Sequence, residues 1–475
     1  MAKNIWNAIG SLLPMAPKSK RPVKPGKAQH ERLTLTTDLT QGHISRKLLM
    51  FAMPLLGASL IQQLYTTVDI LFVSNFLGVE ASAAVGASVL LNSALVNLFT
   101  GVSIGAGVVI AQAFGRKEDE RLSKSIHTSM TLGLIGGVLL TIIGELSASA
   151  FLTIVDTPVS IFQAAFDYVE VFFLGLVFML VFNMAAGVMR ALGNSQTPMM
   201  IQLVCGIIHV VTNYLFILYM ENGILAVAWS SVLSQVLAAI ISTRYLLRSG
   251  VLSIPRLAVD GPLTGKIIGI GLPAGLQGVV VTLSNVFVQY FINGFDVVAI
   301  AAFTAYYRIE LLFYMPICAL GQSMMTFTGQ NVGAGLYGRV KSGLRTTLIF
   351  GVGYSVVLAV ILLYFGRETF GIFYSDPAVI DMGITIIRIA FPFYFFYVFL
   401  ETFADTLRGS GLSVGPMYIV LFNQCLLRTA MLFGFMYLAH DIRLLTAVYP
   451  ITWGTAGAML YWYYRKGTWM RRPLG

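Results

Sequence analysis

Long apolar stretches, each broken by a short polar or glycine-rich loop, run along the chain from about residue 45 to residue 464. A hydrocarbon core of about 30 Å takes roughly 20 mostly apolar residues as helix. By that measure the pattern predicts twelve transmembrane helices, over 45–73, 80–113, 125–151, 160–188, 197–220, 224–246, 265–292, 297–328, 341–366, 379–406, 415–438 and 442–464. Several spans are longer than a bilayer needs, which implies tilt or projecting helix ends. None alternates with period two, as lipid-facing barrel strands do. Glycines inside the spans, among them Gly101, Gly105 and Gly107, suit close helix packing in lipid.

Composition removes the soluble alternatives. Hydrophobic residues make up 57% and charged residues 11% of the 475, against roughly 25% charged in a soluble domain. The net charge of +10 raises nucleic acid as a partner, but the basic residues sit in short loops between apolar runs, so no nucleic acid is expected. With a cytoplasmic N-terminus, 26 of the 31 Lys and Arg fall in the N-terminal segment through Lys47, in 114–124, 189–196, 244–266, 333–345 and 407–414, and in the C-terminal segment from Arg465. The opposite loops hold two, Arg367 and Arg443. This asymmetry places both termini in the cytoplasm and the chain in the cytoplasmic (inner) membrane. Residues 1–43 are basic and proline-rich and read as a disordered cytoplasmic tail, with contact to anionic lipid headgroups as the alternative. Within it, 4–16 lacks the sustained apolar run of a cleaved signal. Ile5, Trp6, Ile9 and Leu13 suit a short interfacial helix instead. Cys205, Cys318 and Cys425 all lie in apolar runs without metal-ligand spacing, so neither disulfides nor a metal site is expected.

The chain also repeats itself at an offset of about 218 residues. Pro54 in FAMPLLGASL matches Pro273 in GIGLPAGLQG. QAFGRKEDER from Gln112 matches QNVGAGLYGR from Gln330, and RALGNSQTP from Arg190 matches RGSGLSVGP from Arg408. The separation from that Gln to that Arg is 78 in both halves. The organisation read from this is an N-lobe of six helices (44–248), a cytoplasmic linker (249–264), a C-lobe of six helices (265–466) and a tail (467–475). An even number of spans per half makes the repeats parallel, a known transporter arrangement. Pro54 and Pro273 are the candidate conformational hinges.

The two six-helix halves, the phrase QQLYTTVD ending at Asp69, and the RALGNSQTP and GQNVGAG loops resemble the multidrug and toxin extrusion (MATE) transporters, in particular the bacterial DinF-like and MepA-like branch. The resemblance covers about 45–465. It implies an all-α integral membrane fold of two pseudo-symmetric bundles, and cation-coupled export of amphipathic, often cationic compounds. H⁺ or Na⁺ would be the coupling ion, with lipid around a monomeric protein and no cofactor.

Ionisable groups in hydrocarbon are expensive and so need a reason. Asp69 closes the polar stretch Gln62, Gln63, Tyr65, Thr66 and Thr67. A carboxylate there exchanges a proton or neutralises a monovalent cation, and the resemblance assigns it the coupling role, with Na⁺ possible at Asp69. His209 and Asn213 lie four apart and share a helix face. The family often has Asn and Asp at this pair, so the chain departs from the pattern and lacks one negative charge. Imidazole takes protons near neutrality and binds Na⁺ poorly, which favours H⁺. A core histidine bonded to a carbonyl is the bland alternative. Ser231 is a further candidate oxygen.

The repeat offset maps Glu310 onto Asn92, Glu401 onto Asn183 and Asp69 onto the neighbourhood of Val288, so the two halves carry their acids at different places. Gln62, Gln63, Tyr65, Glu170, Asn183, Glu310, Glu401 and Arg428 are the candidate cavity residues. Arg428 is expected to neutralise Glu401 or Glu310, and Asp405 to pair with Arg408. The clusters Phe391–Tyr397 and Tyr306–Tyr314 are candidate aromatic walls for flat cations. No P-loop or HExxH occurs, so an ion gradient rather than ATP is the expected drive, and no enzyme is expected. A lipid-linked saccharide flippase of the same superfamily is the first rival. A membrane-embedded lipid-modifying enzyme is the second.

Overall fold

The computed structural model describes residues 37–154, 156–220 and 223–470, without the side chains of 79 and 87–92. Most of the basic N-terminal tail, including its candidate interfacial helix, and residues 471–475 lie outside the described set. Helices account for nearly all of what is described, and no strand occurs among the described residues. The first six long helices are α1 (Ile44–Phe72), α2 (Gly78–Arg116), α3 (Asp119–Ile154), α4 (Val159–Ala191), α5 (Gln196–Tyr219) and α6 (Gly223–Arg248). Then follow α7 (Gly261–Ile292), α8 (Val297–Gly333), α9 (Tyr337–Tyr364), the short α10 (Gly366–Gly371), α11 (Pro377–Ala390) and α12 (Phe395–Gly409). The chain ends with α13 (Val414–Leu421), α14 (Arg428–Leu438) and α15 (Ile442–Arg465).

Among the described residues ten helical runs are long and apolar enough to cross a membrane, and α11 with α12 forms an eleventh, bent by 47°. The bend falls at the Phe391–Phe393 turn, where Pro392 removes a backbone donor and its ring crowds the preceding turn. The last expected span is α15, 24 residues long and less apolar because it carries Thr446, Thr452, Thr455 and a Tyr-Trp-rich end. Two spans contain a π-helical turn, Val73–Leu77 after α1 and Phe422–Leu427 between α13 and α14. The sequence shows neither, since a π turn changes hydrogen-bond register rather than residue pattern.

Local chemistry sets the helix ends. Asp296, Asp376 and Asp441 start α8, α11 and α15, each accepting a hydrogen bond from a backbone N–H of the first turn, the usual N-cap arrangement. The repeat is visible in the backbone at the opposite ends. Gly193 and Gly411 both take positive φ (87° and 93°), and so do Lys117 and Gly335 (61° and 73°). These pairs are 218 residues apart, so the two halves share loop conformations as well as loop sequences.

The residues cluster into two compact units. One contains Met53–Leu272 and the described residues before Leu39; the other contains Leu39–Ala52 and Pro273 onward. Thus α1 and α7 each give residues to both units, and the divisions fall one residue before Pro54 and at Pro273. In the first unit α4 packs against α2, α3 and α6. In the second, α8, α12 and α15 enclose a core around Tyr306, Phe313, Phe391, Tyr394 and Trp453. The segment from Leu39 is fastened to the GQNVGAG region. The Leu39 N–H donates to the Gln330 side chain at 2.9 Å, and Arg339 donates to the carbonyls of Leu39 and Gly42. Ser323 donates to the Leu48 carbonyl.

Within the first unit, α2 and the first part of α7 meet backbone to backbone. A Cβ on Gly271 would stand 2.7 Å from the Gly101 carbonyl oxygen, and one on Gly105 would stand 2.7 Å from the Gly271 nitrogen. Only glycine permits this approach. Gly105→Val is therefore expected to destabilise the protein by about 1–3 kcal/mol, the usual range for overpacking. A lower melting temperature in detergent checks this, and the exposed Gly353, with open space around its Cβ, supplies the Gly353→Ala control.

Candidate functional site

In the first unit α1 presents Asp69 to two residues of α5. Asp69 Oδ1 lies 2.8 Å from His209 Nε2 and 2.8 Å from Asn213 Nδ2. His209 and Asn213 are buried at 4% and 0% exposure, while the Asp69 side chain keeps 30%. A carboxylate only accepts, so the imidazole must donate from Nε2. Its other nitrogen, Nδ1, is buried without a well-aligned hydrogen bond, although the Ser230 backbone lies within reach of the ring, and Asn213 Oδ1 is buried without a partner. The cluster thus holds one negative charge, one bare or protonated imidazole nitrogen and one unclaimed amide oxygen. It can take up one proton on the imidazole and become neutral, or offer two hard oxygens to a small cation.

The neighbours of this cluster are aromatic. Tyr65 stands one turn before Asp69, with its ring 6.1 Å from the His209 ring. Its hydroxyl donates to the Gln202 carbonyl. Gly206 makes room for it, because a Cβ there would fall inside the Tyr65 ring. Tyr168 of α4 lies within electrostatic reach of Asp69; the sequence offered no sign of it, since nothing in its spacing ties α4 to α1. Ser231 does not join the group by any hydrogen bond to it, and its hydroxyl donates to the Val227 carbonyl. Gln62 and Gln63 lie on α1, with their carbonyls accepting from Thr66 and Thr67. Glu170 is exposed on α4, with Glu145 of α3 in electrostatic reach. Asn183 is half-buried, and its carbonyl accepts from Ser103 at 2.8 Å.

The second unit carries a different set. Glu310 of α8 accepts from the Tyr394 hydroxyl at 3.2 Å, and Tyr307 and Tyr449 hydroxyls lie 2.9 Å apart. Glu401, Asp405 and Arg408 follow one another along α12. Asp405 and Arg408 form a buried ion pair at 2.5 Å. The repeat explains how there is room for it. The first unit packs Ser103 of α2 against Gly187 of α4, and the equivalent second-unit positions are Gly321 and Asp405. A Cβ on Gly321 would lie 2.6 Å from Asp405 Oδ2 and 3.1 Å from the Glu401 side chain. Arg428, in contrast, forms no ion pair with Glu310 or Glu401, although Glu310 stays within its electrostatic reach. Its guanidinium lies over the Tyr449 ring at 5.0 Å and donates to Asn285 and Thr452 at 3.4 Å each. The aromatic clusters are core rather than open wall. Phe313 stacks on Tyr394 and lies tilted against Phe391, each at 4.6 Å, and Tyr394 meets Trp453 at 4.7 Å. They bury one another, leaving Phe393 and Tyr314 as the exposed members.

Against known proteins, the MatE family profile matches residues 54–215 and again 273–433, one copy per half. A probable multidrug resistance protein, YoeA of Bacillus subtilis, is 24% identical over 445 residues, which is 91% of this chain and 96% of that protein. YpnP of the same organism, also described as a probable multidrug resistance protein, is 26% identical over 387 residues, 81% of this chain and 86% of its own length. Among solved structures, a MATE protein in its bent conformation superposes with a TM-score of 0.85 at 19% identity, over 92% of this chain and 99% of that one.

The buried pair in α12 gives a test with opposite signs. Arg408→Met strands Asp405 in the interior and is expected to cost about 3–5 kcal/mol. The double variant Arg408→Met, Asp405→Leu removes both charges and is expected to recover most of that loss. Melting curves of the two variants in the same detergent check the prediction.

Proposed function

Since the chain belongs to the MatE family, we propose that it is a cation-coupled antiporter that exports amphipathic, often cationic compounds, with H⁺ as the coupling ion. The observation that carries this reading is the Asp69–His209–Asn213 cluster inside the first unit, which pairs a single carboxylate with an imidazole. The names of the relatives YoeA and YpnP support drug export as the activity. H⁺ is favoured over Na⁺ because the third group is a nitrogen base. A sodium ion would gain no second negative charge from His209, whereas a proton gains a basic nitrogen, with the Ser230 backbone in reach to accept from it. Adding one proton takes the cluster from a net charge of −1 to zero, and this sharply changes the cost of holding it out of water.

In the proposed orientation both termini are cytoplasmic, as the basic loops require. Protons enter from outside, bind at Asp69 and His209, and bias the conformational equilibrium by their different affinity for the two states. Pro54 and Pro273 act as the flexible points, since each lacks the N–H that would bond to the carbonyl four residues earlier, and each coincides with a division between the two units.

In proteoliposomes, an imposed proton gradient without Na⁺ is expected to drive rhodamine 123 transport. Asp69→Asn is expected to reduce it about 5- to 150-fold, the span of a coupling free energy of 1–3 kcal/mol, and His209→Ala to remove the response to the proton gradient. Undiminished transport in Asp69→Asn would sink the coupling role. A sodium gradient that serves equally well without protons would sink the choice of ion. Pro54→Ala and Pro273→Ala are expected to lower the transport rate while dye affinity stays the same, which rate measurements over a range of dye concentrations check.

A further inference from the structure

The repeat places the fifth helix of each half in register, and His209 falls on Leu427. One residue beyond, the second unit has Arg428, and on α7 near the equivalent of Asp69 it has Asn285. Where the first unit holds an acid, the second holds a base. Arg428 is 2% exposed, and among the described residues no carboxylate oxygen lies within 4.0 Å of it. Glu310 is in electrostatic reach but outside ion-pair distance, and it accepts from Tyr394 instead. The two side-chain hydrogen bonds Arg428 makes are 3.4 Å long, at the weak end of the range. Its Nε is buried with no partner at all. A guanidinium has five donors, so this one is far from satisfied. The face of Tyr449 offsets part of the burial cost but neutralises no charge.

Two further observations suggest that a ligand fills the gap. The π-helical turn Phe422–Leu427 ends at Arg428 and buries Asn423 and Gln424, with Asn423 Oδ1 unpartnered. Extra-register turns of this kind re-aim side chains and often lie at functional sites. In addition, Thr282, Asn285 and Gln289 form a polar stripe at helical spacing along α7, and Asn293, which accepts from Gln289, continues it just past the helix end; the last three are exposed. A polar stripe within a membrane helix marks a hydrated route or a binding face rather than a lipid contact. Asn285 is thus both exposed and bonded to the buried guanidinium, which makes it the point of entry.

We propose that Arg428, together with Asn285, binds the carboxylate or phosphate group of an amphipathic substrate, so that the transported range includes zwitterionic and anionic aromatic compounds as well as cations. A planar guanidinium with unused donors matches such groups in two-point geometry. This inference rests on the export reading and names part of its substrate class.

The test uses two dyes with the same ring system, rhodamine 110 with a free carboxylate and rhodamine 123 with that group as a methyl ester. Their affinities are measured by fluorescence polarisation with the full-length protein in phosphatidylcholine nanodiscs. The protein is expected to bind rhodamine 110 about tenfold more tightly than rhodamine 123, the effect of one charge-assisted hydrogen-bonded pair. Arg428→Met should abolish the preference, Arg428→Lys should retain part of it, and Asn285→Ala, at an exposed position, should weaken it while the protein stays folded. An unchanged preference in Arg428→Met and Asn285→Ala, or an equal loss for both dyes, would overturn the assignment. Loss of the preference in phosphatidylglycerol nanodiscs would assign the site to a lipid headgroup and overturn it too. Failure of rhodamine 123 transport in proteoliposomes would instead count against export, leaving the dye preference to report on Arg428 alone.

Discussion

The hydrogen bonds on one carboxylate oxygen, Asp69 Oδ1, set the character of the first unit. A carboxylate in a membrane interior must be answered by donors, a cation or a proton, and α5 supplies two donors one turn apart, at 2.8 Å each. The rest of the local architecture serves that meeting. The backbone of Gly206 lets Tyr65 lie across α5, and a π-helical turn follows Asp69 within four residues. Because both donors converge on the same oxygen, a change in the charge of His209 is felt by the whole cluster.

The second unit uses the same backbone for different chemistry. Left-handed turns recur at Gly193 and Gly411 and at Lys117 and Gly335, so the loops are copies. The interior is not. Exchanging which helix carries the glycine, from Ser103 against Gly187 to Gly321 against Asp405, opens room for a buried ion pair. Duplication fixes the path of the chain, while single side chains decide which charges it can hold. Each unit then gains an ionisable group beside a π-helical turn, Asp69 in the first and Arg428 in the second.

Much of this was legible in the sequence, because the bilayer imposes long apolar runs and basic loops, and the repeat preserves turn residues such as the glycines of RALGNSQTP and RGSGLSVGP. The family profile falls on the same two copies. The i, i+4 spacing of His209 and Asn213 was also enough to put them on one face. Which acid an arginine meets was not legible. Arg428 has Glu310 nearby, yet its long side chain lies on Tyr449, a choice made by rotamer and by the register shift of a π turn. The aromatic clusters misled for a related reason. A run such as FPFYFFY has the composition of a ligand wall and of a core alike, and Phe313, Phe391 and Tyr394 close on each other with almost no exposed surface. The lower apolarity of α15 likewise follows from its place against α12 in the core of the second unit, where threonine hydroxyls bond to backbone carbonyls of their own helix.

The polarity of the two interiors limits what either can hold. In the first, a single carboxylate, Asp69, meets an imidazole and an amide. In the second, Asp405 and Arg408 cancel each other in an ion pair, and Glu310 is held by a tyrosine hydroxyl. Arg428 has neutral oxygens and a ring face beside it, with Glu310 in electrostatic reach but beyond ion-pair distance. A positive group with unused donors repels a bare cation and attracts a carboxylate. The two interiors therefore differ in polarity at related places, a carboxylate on α1 of the first unit and a guanidinium on α14 of the second.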